Sequence, residues 1–133
     1  MLTASTSIDV PDLAAGERFY ADTLDFVTVA APFKGVAVMR SGGVEIALLE
    51  KAAGSRPAPG SDDVRRYERH WTPVHIDFHV TDLDDRLARV AAAGGIVEQV
   101  HGHPKHGKVA FCSDPFGHGF CLLERPAEQA DPS

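Results

Sequence analysis

The chain reads as an α+β protein built from two tandem β-α-β-β-β modules, and three observations carry that reading. Val10-Pro-Asp-Leu13 returns 70 residues later as Val80-Thr-Asp-Leu83. Phe26 and Ile96, each opening an apolar run, stand at equal distances from Leu13 and Leu83. Leu48-Leu49-Glu50 is echoed by Leu122-Leu123-Glu124. Self-similarity of this kind marks a duplicated supersecondary unit, with function expected between the copies.

The elements follow in order. Residues 3–10 alternate polar and apolar and predict a strand. Asp12 is placed to N-cap a helix starting at Leu13, in which Leu13, Gly16, Tyr20 and Leu24 share one stripe; Asp25 ends it. Strands are expected over 26–29, 35–40 and 44–49, with turns at Pro32 and Ser41-Gly42-Gly43. Module one thus spans 3–50. Residues 51–72 read as a linker, rich at first in Ala, Gly, Ser and Pro, then charged, with a helical turn expected over Asp62–His70. Module two spans 73–125. It has a strand over 74–80 and a helix capped by Asp82, with Leu83, Leu87, Val90, Ala91 and Gly94 on its stripe. Gly94-Gly95 stops that helix, and strands follow over 96–101, 108–112 and 119–124. Residues 126–133 read as a frayed tail.

With 133 residues, 44% of them hydrophobic, the chain suits a single domain with a real core. A net charge of -6 argues against nucleic acid or an anionic membrane as partner. Two cysteines, Cys112 and Cys121, imply no disulfide framework. No stretch is long and apolar enough to span a bilayer and no signal peptide is read, so a cytoplasmic setting is expected.

Val10-Pro-Asp-Leu13, Val80-Thr-Asp-Leu83 and Asp114-Pro-Phe-Gly117 before the last strand, set in two modules, resemble the vicinal oxygen chelate superfamily. That group includes glyoxalase I, extradiol dioxygenases, fosfomycin resistance enzymes and bleomycin-binding proteins. The wording from Cys112 to Glu124 is most similar to small glyoxalase-like proteins. The resemblance implies a cup-shaped mixed sheet, a small-molecule pocket and a homodimer. It also implies up to four metal ligands, His or Gln and Glu, on the first and last strands of each module. Carried over residue by residue, those places hold Ser5, Ala47, His75 and Cys121. Ala47 cannot bind metal and Ser5 is a poor ligand, so the usual four-ligand site is broken. A shift of two residues would bring in Glu45.

Strand alternation sets His75, Asp77 and His79 on one face and Val74, Ile76, Phe78 and Val80 on the other. The apolar set must pack on the helix, so the polar triplet faces the pocket, with Ser5, Ser7 and Asp9 as its counterpart in module one. Ser5, Ser7, Asp9, His75, Asp77, His79 and Cys121 are therefore the expected ligand-binding residues. No cofactor is expected; the alternative is a divalent metal at His75, joined by Asp77, His79 and Cys121. A thiolate–imidazole pair of Cys121 and His75 is a further alternative, against Cys112 and Cys121 as buried small apolar residues. His101, His103 and His106 fall in a Gly- and Pro-containing turn without an acidic partner and read as a hairpin loop or pocket rim. Trp71, Phe33 and Tyr67 could supply apolar wall or pack the linker. Glu50 and Glu124, on the opposite face, read as solvent or interface residues. Two functions remain: a small-molecule binding protein lacking the usual metal site, or a lyase, isomerase or dioxygenase-type enzyme with an atypical metal site.

Overall fold

The computed structural model describes residues 1–126, so all but the first residue of the expected tail lies outside the described residues. The chain divides into two compact units, Met1–Glu68 and Arg69–Ser133. Each is one β-α-β-β-β module. Unit one contains β1 (Thr6–Val10), α1 (Leu13–Leu24), β2 (Val27–Ala30), β3 (Val36–Ser41) and β4 (Val44–Glu50). Unit two contains β5 (Ile76–His79), α2 (Leu83–Ala92), β6 (Ile96–His103), β7 (Gly107–Ser113) and β8 (Gly119–Glu124). Each sheet has four strands in the same order, β1-β4-β3-β2 and β5-β8-β7-β6. The first strand runs parallel to the last and the other pairs are antiparallel.

The duplicated words lie at one corner of each module, where the first helix turn meets the end of the last strand. In unit one, Asp12 Oδ1 accepts from the Ala15 amide at 3.0 Å, and Glu50 Oε2 accepts from the Leu13 amide at 2.8 Å. In unit two, Glu124 Oε2 accepts from the Leu83 amide at 2.8 Å. The Asp82 side chain makes no bond to the helix backbone and instead pairs with Arg86 at 3.1 Å. One expectation is corrected here and another extended. Asp82 occupies the cap position without acting as cap, and Glu50, which is exposed, and half-buried Glu124 each also cap a helix, a role the sequence did not suggest. A helix N-terminus leaves amides unsatisfied and favours negative charge, so a carboxylate there serves on both counts.

In unit one, the helix buries Gly16, Phe19, Tyr20, Thr23 and Leu24. A Cβ at Gly16 would meet Leu48 Cδ1 and Val10 Cγ1 at 3.1 Å, so the glycine lets α1 lie close to β1 and β4. Thr23 escapes a hydrophobic-stripe reading because its hydroxyl donates to the Phe19 carbonyl at 2.7 Å and so can be buried. Helix α1 ends at Asp25, which takes a left-handed φ of 60°. In unit two the stripe is narrower than its pattern suggests. Leu83 and Val90 are buried and Leu87 half-buried, but Ala91 and Gly94 are exposed.

The segment after β4 contains no helix over Asp62–His70, contrary to expectation. Its backbone is engaged elsewhere. Arg65 exchanges backbone bonds with Gly54 and Ser55, at 2.7 and 2.8 Å. Its guanidinium reaches Asp9 Oδ2 at 2.7 Å and the Arg56 carbonyl at 2.9 Å, and the Tyr67 hydroxyl donates to the Lys51 carbonyl at 2.6 Å. Residues 51–67 therefore form a strap tied down on unit one. Among the described residues no helix is long and apolar enough to cross a membrane.

The carboxylate caps give a first test. Glu124→Ala should cost about 1–2 kcal/mol in urea unfolding, because the Leu83 amide it satisfies is partly buried. Glu50→Ala should cost less, about 0.5–1 kcal/mol, at an exposed contact. Equal and negligible effects would show that the carboxylates are incidental.

Candidate functional site

The register places the two modules' site positions in correspondence. Ser7 pairs with Ala47 in one sheet, and Asp77 pairs with Cys121 in the other. Ala47 thus holds the place in unit one that Cys121 holds in unit two. Ser5, just before β1, and Ser7 are exposed, while Asp9 is half-buried and engaged by Arg65. Glu45, the residue a register shift would have recruited, pairs with Arg40 at 2.9 Å. No ligand-like cluster forms among these residues of unit one.

In unit two the first strand does alternate. Ile76 is half-buried and Phe78 buried, whereas His75, Asp77 and His79 are exposed. Val74 departs from the expectation: it precedes the strand and is 83% exposed. His75 Nε2 lies 3.0 Å from Asp77 Oδ1. Candidate donor atoms of His75, Asp77 and Cys121 all lie within 4.8 Å of one another. His79 stands outside this group.

Cys121 is buried on the strand beside Asp77. Burial first, then the Asp77 charge and the hydrogen bond its thiol donates to that carboxylate, push it up to about 11. Its neighbour Cys112 is pushed up to about 12, chiefly by burial. A nucleophilic cysteine needs the opposite shift. His75 Nε2 is directed at Asp77, and the upward shift at Cys121 works against the thiolate that a nucleophile–base pair would need.

Beside this group lies a cavity of about 80 Å³, walled by Arg69, Trp71, His75, Glu98, Phe111 and Cys121, with Gly119 in its floor. Sequence reading missed Arg69, Glu98, Phe111 and Gly119. Arg69 holds Glu98 with two bonds, Nε to Oε2 at 2.7 Å and Nη2 to Oε1 at 3.1 Å, and it also donates to the His70 carbonyl. A Cβ at position 119 would stand 2.8 Å from Arg69 Nη2. The guanidinium therefore occupies the space of the side chain that Gly119 lacks. In unit one the matching space is filled by the cross-strand Arg40–Glu45 pair. Unit two has Ser113 opposite Gly119, and Arg69 and Glu98 supply the charges from outside that strand pair. The one available signal was the glycine, an unfilled position on an otherwise packed strand.

The remaining histidines are placed as follows. His118 belongs to a turn closed by buried Asp114, whose Oδ1 accepts from the Phe116 and His118 amides at 2.9 and 3.0 Å. His103 and His106 stack at 4.5 Å across the hairpin joining β6 to β7, and His101 lies edge-on to Phe111 at 5.7 Å. Trp71 lines the cavity, but Tyr67 anchors the strap, and Phe33 is exposed in unit one.

The Arg69–Glu98 bond holds the Glu98 carboxyl below the usual carboxylate range, against a smaller opposing effect of burial. A lowered folded-state value means stability that is present above the unfolded value of about 4.3 and lost as pH falls through the folded one. Glu98→Gln should thus melt below the parent protein at pH 7, and the two curves should converge on acidification below about pH 4. A difference that persists unchanged into acid would show that the pair's charge is not what stabilises it.

Comparison with known proteins then places the chain. The family described as "Glyoxalase-like domain" matches residues 5–123. Curated relatives named "Putative glyoxylase CFP32", from Mycobacterium bovis and Mycobacterium tuberculosis, are each 32% identical over 124 residues, covering 91% of this chain. The chain spans only 42% of the length of those relatives. Among solved structures, the fosfomycin resistance protein FosX from Listeria monocytogenes superposes with a TM-score of 0.71 at 18% identity, over 95% of this chain and 92% of that one. A mutant of that FosX, solved with Mn(II) and 1S,2S-dihydroxypropylphosphonic acid, gives 0.72 at 19%, over 97% and 95%. A glyoxalase/bleomycin resistance protein from Albidiferax ferrireducens gives 0.66 at 21%, over 93% and 98%. These structural likenesses speak for the fold alone. A manganese ion prefers carboxylate, carbonyl and water oxygens, and the cluster of His75, Asp77 and Cys121 offers one carboxylate beside an imidazole and a thiol, so this donor set does not suit that metal. The duplicated modules, the matched strand order and the match across residues 5–123 together show that this chain belongs to the glyoxalase-like family of the vicinal oxygen chelate superfamily.

Proposed function

We propose that this chain binds a small molecule that is apolar at one end and polar at the other, without the usual four-ligand metal site, in the cavity of unit two. The observation that carries the reading is the cavity wall itself: Trp71 is 79% and Phe111 40% exposed beside His75 and Arg69. Covering roughly 100 Å² of aromatic surface contributes about 2.5 kcal/mol, enough to hold a ligand but not to orient it. Orientation falls to the polar atoms of His75 and Arg69. The Arg69 charge is matched in place by Glu98, and His75 is already partnered by Asp77, so the cavity favours a neutral or weakly polar ligand despite the chain's overall charge of -6. The fosfomycin and bleomycin resistance proteins among the structural neighbours support a small-molecule role. The homodimer implied by the resemblance and the cytoplasmic setting expected from the sequence belong to this proposal as well.

The second reading is a metal-dependent lyase, isomerase or dioxygenase-type enzyme with an atypical site around His75. It is favoured by the proximity of His75, Asp77 and Cys121. A metal held there would supply Lewis-acid polarisation of a ligand oxygen, while Trp71 and Phe111 would exclude water.

Trp71 is the single tryptophan of the chain, so its fluorescence reports on the cavity directly. Compounds that raise the melting temperature in a small-molecule panel should change Trp71 emission. Phe111→Ala should weaken them by about 10-fold, or roughly 1.4 kcal/mol. Compounds that bind with unchanged emission and undiminished affinity in Phe111→Ala would move the site elsewhere. Turnover of a bound compound that requires added metal would favour the second reading.

A further inference from the structure

We infer that Gln99 and His101, on strand β6, form a second polar receptor for the ligand of unit two, taking a neutral hydroxyl or carboxamide at the far end of an elongated apolar middle. The inference rests on the cavity reading and narrows it: the part of the ligand that lies on Phe111 is apolar, and it ends in a second polar group.

Strand register sets out the path. Asp77 pairs with Cys121, Cys121 with Phe111, and Phe111 with Gln99, so one row of side chains crosses all four strands of unit two on a single face. Neighbouring strands stand about 4.8 Å apart, which makes the row about 14 Å long. In the next row on that face, Leu123 pairs with Val109 and Val109 with His101. Both rows are apolar across β8 and β7 and become polar again on β6. His75 of the cavity wall stands just before β5, on one side of this ground, and Gln99 and His101 stand on the other.

The pair is oriented although both residues are exposed. His101 Nε2 lies 2.9 Å from Gln99 Oε1, and the imidazole meets the Phe111 ring edge-on with centroids 5.7 Å apart. A carboxamide oxygen only accepts, so the hydrogen of this bond sits on Nε2, and in the neutral ring Nδ1 then carries a lone pair. The bond therefore leaves an acceptor on His101 and donors on the Gln99 amide nitrogen. An adjacent donor and acceptor match a group that both gives and takes a hydrogen bond, which a hydroxyl or a carboxamide does. A carboxylate has no hydrogen to give and an ammonium has no lone pair, so either would use half of the receptor. Between the receptor and the cavity, Phe111 is 40% exposed and Val109 half-buried, and they offer only apolar surface. A ligand that covered Gln99 and His101 with an apolar end would strip them of water without replacing its hydrogen bonds, which is costly.

The test uses the full chain and two rigid probes of equal length: biphenyl with a para hydroxyl on each ring, and the same molecule with one hydroxyl replaced by methyl. Binding is followed by Trp71 emission and by equilibrium dialysis. The diol should bind roughly 5-fold tighter than its methyl analogue, the gain expected of one neutral hydrogen-bonded group. His101→Leu and Gln99→Leu should each abolish or reverse that preference, and Phe111→Ala should weaken both probes. Thermal melting of each variant checks that it is folded. Equal binding of the two probes by the parent, or a preference that survives in both leucine variants, overturns the inference, and Phe111-dependent binding in the same experiment leaves the cavity reading standing. If neither probe binds, or if Phe111→Ala leaves both unaffected, the inference and the cavity reading fall together.

Discussion

The capture of a helix N-terminus by the glutamate that ends the last strand organises both modules. Glu50 takes the Leu13 amide and Glu124 the Leu83 amide, each at 2.8 Å. A helix start left to itself exposes donors that water must satisfy; here one carboxylate satisfies a donor and meets the positive end of the helix dipole. The constraint is also topological. It pins the turn after the first strand to the end of the fourth, and that is the geometry in which those two strands run side by side in parallel. Parallel neighbours need a long connection. In each module that connection is the helix and the two antiparallel strands between them, and the glutamate closes the circuit.

The candidate site inherits this geometry. Because β5 lies beside β8 in register, Asp77 and Cys121 are neighbours although they are 44 positions apart, 121 less 77. Because β7 flanks β8, Phe111 stands next to Cys121 on the same face. On β5 and β8 the apolar residues Phe78 and Leu122 are buried, as are Leu83 and Val90 of α2. What remains on the other face is free to be polar. In unit one that freedom is used for an ion pair between Arg40 and Glu45. In unit two the same place carries Gly119, and the space admits the Arg69 guanidinium from a neighbouring segment. Duplication thus provided two equal frames, and differences of a few side chains made a cavity with a histidine, a carboxylate and a thiol in one of them.

Much of the fold could be read from the chain because its signals are local. The V-x-D-L words, the alternation of Ile76 and Phe78 with Asp77 and His79, and the Gly94-Gly95 stop each act within a few residues, and the elements appear close to where those signals put them. The failures were equally consistent. The helical turn expected over 62–70 is absent because Arg65 spends its backbone on Gly54 and Ser55 and its side chain on Asp9. Glu50 and Glu124 looked like surface residues because their partners, Leu13 and Leu83, are 37 and 41 positions away. Arg69 and Glu98 gave no sign of belonging to the site, since their bond spans 29 positions and is organised by the absence of a side chain at 119.

By itself, then, the sequence determined what depends on periodicity and turn chemistry: two copies of a β-α-β-β-β unit, the alternation of Ile76 and Phe78 with Asp77 and His79 along β5, and which family the chain belongs to. It also determined that Ala47 cannot be a ligand, since that follows from residue type alone. Only the tertiary structure decided which polar residues meet. Strand register brings Cys121 against Asp77 and leaves His79 outside the group, and the strap draws Asp9 to Arg65. Such meetings depend on distances across strands and between segments far apart in the chain, and no local pattern encodes them, because each partner is placed by backbone pairing that is complete only when the whole module has folded.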